Sequence, residues 1–221
     1  RDKGCGLVII ILVDIRGLEK RKKRIQSSEY LMLKFLRAAY KDSATIKLKF
    51  VDLNIDKIIE VTRLIVSAFK SGNKLMLFGN GGSATDASHL AAEFVNRFKK
   101  DRDGLPAISL TSDMAVMTSI SNDYDYSDSF ARQIKAFGRM GDVVIAISTS
   151  GNSPNVIKAV EASRRLGIKT IAFTGGNGGR LASESDYAFI VPSDETPRIQ
   201  ETHITLGHVM CEIIEEEIFG G

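Results

Sequence analysis

The sequence predicts an α/β fold in which a parallel sheet is covered on both faces, and three observations carry that prediction. Short, nearly continuous apolar runs recur at 75–78, 107–110, 143–147, 170–173 and 187–191. Amphipathic stretches of helical length separate them. The segments that leave two of the runs are rich in glycine or in hydroxyls. Strands that are apolar on both sides and alternate with helices fit a sheet buried between helical layers. The expected architecture is a three-layer α/β/α sandwich around a five-stranded parallel sheet, preceded by N-terminal helices.

Taken in chain order, residues 28–44 read as a helix, because Leu31, Leu33, Phe35, Leu36 and Ala39 are interleaved with Lys and Arg. A second helix is predicted over 53–70, where Ile55, Ile58, Ile59, Val61, Leu64, Ile65 and Phe69 recur at three and four. Ser71-Gly72-Asn73 ends it, since Gly and Asn tolerate the left-handed conformation of a helix terminus. The period then changes, and the five apolar runs alternate with helical patterns at 84–97, 112–120, 128–138, 154–166 and 178–184. A last helix over 198–219 closes the chain. No repeat or linker interrupts residues 28–221, which read as one domain with its N-terminal helices. Residues 1–26 are left unassigned. Positive charge before seven apolar residues has the order of a signal peptide, but no small-residue cleavage site follows, and a strand or an upstream remnant is expected instead.

Composition narrows the function classes. With 221 residues, 43% hydrophobic and 26% charged, the chain can bury a core and is not of disordered or collagen-like type. Its longest strongly apolar run has seven residues, against the ~20 of a membrane helix, so no membrane partner is expected. Cys5 and Cys211 make no disulfide framework, and a cytoplasmic location is expected. The net charge of +3 is uneven: residues 1–50 hold 13 Lys/Arg against 5 Asp/Glu, and the remainder holds 17 against 22. The basic run at 20–24 reads as a solvated face, and no nucleic-acid partner is expected.

Ligands of such sheets sit beyond the carboxyl ends of the strands. Gly79-Asn80-Gly81-Gly82-Ser83 follows the first run and precedes a helix. Its glycines admit close backbone approach, but it is neither a Walker A loop nor a dinucleotide fingerprint. Ser148-Thr149-Ser150-Gly151-Asn152-Ser153-Pro154 follows the third run, with Pro154 suited to the first helical position and Ser153 to the N-cap. Four hydroxyls at a helix N-terminus, with no adjacent Lys or Arg, fit a phosphate held by neutral donors and the helix dipole. His89 and Glu93 are four apart on one helix face, a spacing that suits metal ligation, proton transfer or a plain surface pair, and Arg97 continues the stripe. On the last helix, Gln200 and His208 lie ~80° apart and can share a site, whereas His203 and His208 lie ~140° apart. His203 is expected to be half-exposed, and a buried structural role is open for His208.

Asn80-Gly81-Gly82-Ser83, the helix with His89-Leu90-Ala91-Ala92-Glu93, the pair Asn122-Asp123, Ser148 to Ser153, and Arg198-Ile199-Gln200-Glu201 with His208 together resemble the phosphoheptose isomerases of the sugar isomerase (SIS) superfamily. The resemblance covers residue 28 to the end. It implies the SIS fold and the aldose–ketose conversion of D-sedoheptulose 7-phosphate to D-glycero-D-manno-heptose 7-phosphate through an enediol, for surface-glycan heptose such as that of lipopolysaccharide. It further implies a homotetramer and one zinc ion per subunit. By position it makes Glu93 the base and His208 the acid, and His89, Glu93, Gln200 and His208 the metal ligands. Asn80, Gly81, Gly82, Glu93, Asn122, Asp123, Ser148, Thr149, Ser150, Ser153 and Gln200 become the substrate contacts. Two alternatives stand beside it: another SIS-type sugar-phosphate isomerase, and a non-catalytic SIS module that binds sugar phosphates or replication proteins.

Overall fold

The computed structural model describes residues 27–220, and the readings made on residues 1–26 lie outside them. Two compact units divide the chain between Asp42 and Ser43. In chain order the elements are α1 (Ser27–Lys70), β1 (Leu75–Gly79), α2 (Gly82–Val95), β2 (Ala107–Ser109) and α3 (Met114–Asp123). A 3-10 turn (Tyr126–Asp128), α4 (Ser129–Phe137), β3 (Val143–Ile147), α5 (Pro154–Arg165) and β4 (Lys169–Gly175) follow. The chain then forms α6 (Gly179–Glu184), β5 (Tyr187–Val191) and α7 (Thr196–Phe219).

The N-terminal part differs from the expectation. One helix of 44 residues stands where two were predicted. The intervening residues 45–52 contain neither Gly nor Pro, so nothing interrupts the backbone ladder. The helix stops at Gly72, whose φ is +76°. In the N-terminal unit, Tyr30, Leu31, Met32, Phe35, Leu36 and Tyr40 of α1 are exposed.

All five strands are parallel, in the order β2-β1-β3-β4-β5. Successive side chains of a strand point to opposite faces, which gives the sheet two cores. Leu75, Leu77, Val143, Ile145, Ile147, Ile171 and Phe173 face Val61, Ile65, Leu90, Phe94, Leu206, Met210 and Ile214 of α1, α2 and α7. Met76, Phe78, Val144, Ala146 and Ala172 face Phe130, Ile134, Val156, Val160 and Leu181 of α4, α5 and α6. Full burial of each large aliphatic or Phe side chain contributes ~1.5–3 kcal/mol. The strand order reverses between β1 and β3, and at such a switch point the loops leaving two neighbouring strands open a crevice. Those two loops are the glycine-rich and the hydroxyl-rich segments.

Candidate active site

The two loops at the switch point are tied together by side chains. Asn80 and Asn155 exchange reciprocal amide hydrogen bonds of 2.9 Å, and the Tyr126 hydroxyl donates to Asn80 Oδ1 at 2.7 Å. Asn155 is buried, its Oδ1 accepts from the Val156 N–H, and its amide reaches Ser129. Sequence reasoning missed Asn155 because it lies inside the helix, beyond the hydroxyl run. The signal available was a polar residue at the second helical position of a helix whose neighbours are apolar.

Ser153 caps α5 only by backbone position. Its hydroxyl meets Ser148 Oγ at 3.0 Å instead of a backbone N–H, so the expected side-chain cap does not form. At the head of α5, Pro154 has no N–H and the Val156 N–H is held by Asn155 Oδ1, so the loop's polar groups are its hydroxyls and the amides of the turn. Arg180 approaches this loop, but its backbone N–H goes to Asn152 and its guanidinium to Glu161. The hydroxyl loop thus keeps the neutral-donor character read from sequence. Beside it lies a cavity of about 300 Å³, bordered by Thr149, Ser150, Gly176, Asn177 and Asp194.

The second half of the site is formed by α2 and α7. His89 Nε2 lies 3.1 Å from Glu93 Oε1 and 3.4 Å from His208 Nε2. One ligand atom from each of His89, Glu93 and His208 falls within 4.8 Å of the others. Two imidazole nitrogens and a carboxylate oxygen converging on one point are a donor set suited to a divalent cation with an open coordination position. Burial, reinforced by His89 and opposed by Glu93, holds His208 below the usual histidine range, so its ring is neutral at pH 7 and free to ligate. Burial likewise raises the Asp86 carboxyl, one turn before His89, while His89 opposes the rise.

The remaining predicted residues fall in three places. Gln200 lies against the start of α2, where a Cβ on Gly82 would come within 2.5 Å of its Nε2. Asn122 and Asp123 end α3, both exposed and hydrogen-bonded to each other at 2.9 Å, and no hydrogen bond among the described residues joins them to the histidines. Arg97 does not continue the stripe, because α2 ends at Val95 and Arg97 is exposed beyond it.

His203 corrects the expectation of a half-exposed residue. It is 1% exposed, donates from Nε2 to the Thr174 carbonyl at 3.1 Å, and packs on Phe173. Burial pushes its pKa from 6.5 to about 4, against the opposing hydrogen bond to Thr174. The unfolded chain therefore takes up a proton between pH 6.5 and 4 that the folded chain refuses. The contribution is complete above pH 6.5 and lost as pH falls to 4, a change of about 3 kcal/mol. Urea denaturation at pH 7 and pH 4.5 is expected to show this loss in the wild type and a smaller one in His203→Gln, which keeps a donor but does not titrate.

A parallel five-stranded sheet with a hydroxyl-rich loop and a glycine turn at its switch point fits a domain of the SIS class, and the SIS domain family model matches residues 39–175. The chain is 59% identical to the phosphoheptose isomerase of Thermodesulfovibrio yellowstonii, over 83% of this chain and 92% of that one. Solved phosphoheptose isomerases from Neisseria gonorrhoeae and Francisella tularensis superpose with TM-scores of 0.79 and 0.81 at 37% and 36% identity. Each superposition covers 84% of this chain, with 99% of the first structure and 98% of the second. The chain belongs to the phosphoheptose isomerase family.

Proposed function

We propose that this chain isomerises D-sedoheptulose 7-phosphate to D-glycero-D-manno-heptose 7-phosphate. The observation that carries the reading is the meeting of Glu93 and His208, 115 positions apart in sequence, around His89. Such an isomerisation moves one proton between adjacent carbons and one between their oxygens. Glu93 takes the carbon-bound proton and returns it to the neighbouring carbon of the enediol. His208 carries the proton between the oxygens. Ser148, Thr149, Ser150 and Ser153 bind the phosphate at the head of α5. Holding that remote group sets the register of the reacting carbons over Glu93, which turns binding into rate. Asn80, Gly81, Gly82 and Gln200 contact the sugar chain, and Asn122 and Asp123 contact substrate from the end of α3.

His89, Glu93, Gln200 and His208 are the residues proposed to hold one zinc ion, which when bound supplies Lewis-acid polarisation of the sugar oxygens. A homotetramer is proposed, supported by the exposed apolar residues of α1. A cytoplasmic location and a role in heptose supply for surface glycans such as lipopolysaccharide complete the reading. Among the described residues no helix is long and apolar enough to cross a membrane.

The test offers sedoheptulose 7-phosphate, arabinose 5-phosphate and fructose 6-phosphate to one preparation purified without chelator and assayed for metal. Turnover of the heptulose phosphate in preference to the others, with stoichiometric zinc, is expected. Preference for the pentose or hexose phosphate transfers the chain to another isomerase, and turnover of none makes it a binding module.

A further inference from the structure

Beyond the groups proposed to touch substrate, the loop that follows α2 is joined to α7 by a buried ion pair. Arg102 Nε donates to Glu215 Oε1 at 2.9 Å, and both side chains are 3% exposed. The rest of the Arg102 guanidinium closes the end of α2. It donates to the carbonyls of Glu93 at 3.0 Å, Phe94 at 2.7 Å, Asn96 at 3.3 Å and Asp103 at 2.9 Å. A cation on the last carbonyls of a helix is favoured by the helix dipole as well as by hydrogen bonding.

Glu215 performs the matching task from α7. Its two oxygens accept the backbone N–H groups of Phe98, Lys99 and Lys100 at 3.0, 2.8 and 2.9 Å. Burial alone would raise its carboxyl, but those three amides and Arg102 bring it down to about 2, so it stays ionised. The segment it holds places the Phe98 ring 5.6 Å from the His208 ring, at 31°. Glu215 and His208 are seven residues apart, two turns along one face of α7. Next to His208, Gly207 admits Leu90 of α2, where a Cβ would come within 2.5 Å of the leucine methyls.

We propose that Arg102 and Glu215 are positioning residues that fix the spacing between the helix bearing His89 and Glu93 and the helix bearing His208. The pair bonds the carbonyl of Glu93 itself, and through Phe98 it packs on the ring of His208. It therefore acts on both halves of the proton-transfer site without touching substrate. The proposal rests on the isomerase reading, and it adds which residues hold the two halves in register. The hydroxyl loop lies on α5, which the pair does not contact, so phosphate binding should be insensitive to it.

The experiment compares Arg102→Lys, Arg102→Met and Glu215→Gln with the wild type on sedoheptulose 7-phosphate, well below each Tm. Ile134→Ala, in the core on the opposite face of the sheet, serves as a control of similar Tm loss. Arg102→Lys keeps the charge and loses the fork, and it covers the case in which Arg102→Met does not fold. The expected result is a 10- to 100-fold fall in kcat with KM within about twofold, together with a moved histidine ring resonance of His208 as Phe98 shifts. The control should keep its kcat. Variants that retain wild-type kcat, or that lose no more than Ile134→Ala, overturn the proposal and leave the isomerase reading intact. A wild-type chain that turns over no sugar phosphate removes that reading and this proposal with it.

Discussion

Replacing Glu93 with Gln is expected to lower turnover of sedoheptulose 7-phosphate by ~10²–10⁴-fold while leaving substrate binding measurable. The amide has the same shape as the carboxylate and can still meet His89 Nε2, which lies 3.1 Å from Glu93 Oε1. What it cannot do is accept a proton from carbon near neutral pH. The proposed phosphate anchor belongs to a different helix and a different strand, so calorimetry with substrate should still return a measurable affinity. Because Glu93 is also proposed as a metal ligand, bound zinc should be measured in the same variant. Loss of rate with zinc retained isolates proton transfer. Wild-type rate in this variant would remove Glu93 from the chemistry.

The second large effect is expected at Gly151. This residue sits in the hydroxyl loop at φ +66°, and a Cβ there would run into the carbonyl of Gly178. Gly151→Ala therefore meets backbone, which cannot swing aside as a side chain can. Left-handed backbone alone costs a non-glycine residue ~1–2 kcal/mol. Relief of the overlap requires the loop or the turn before α6 to move, and displacement of about 1 Å is enough to cost on the order of 10²-fold in rate. The expected outcome is a KM raised by roughly tenfold or more and a Tm lowered by several degrees. Gly72→Ala supplies the contrast, since its φ is +76° but a Cβ there meets nothing within 4 Å. It should lose stability to backbone strain and keep its KM. Equal kinetic effects from the two substitutions would mean that the Gly151 contact is not what shapes the hydroxyl loop.

Much of the layered architecture was legible in the sequence, because a buried parallel strand shows itself as an apolar run with helical spacing on either side. The five runs became the five strands, with ends moved by at most a few residues. The N-terminal helix runs through the predicted gap at 45–52 for a physical reason: no Gly or Pro there enforces a stop. α2 ends at Val95, two residues short of the predicted 97, for a different reason. The amides of 98–100 are claimed by Glu215, a residue 115 or more positions away, and no local pattern announces that.

The individual chemical groups were likewise readable one at a time: a hydroxyl-rich turn, a glycine turn, a His and Glu four apart, a late histidine. Their side-chain types and local spacing are properties of the chain itself. Which strands are neighbours is not, and only the order β2-β1-β3-β4-β5 sets the two loops side by side. Asn155 as the tie between those loops, the burial of His203, the approach of His208 to His89, and the Arg102–Glu215 pair all depend on contacts between segments remote in sequence. Periodicity reports which face of an element is apolar. It carries no information on which other face will cover it, and that choice, made by packing in three dimensions, is what brings the carboxylate and the imidazole together.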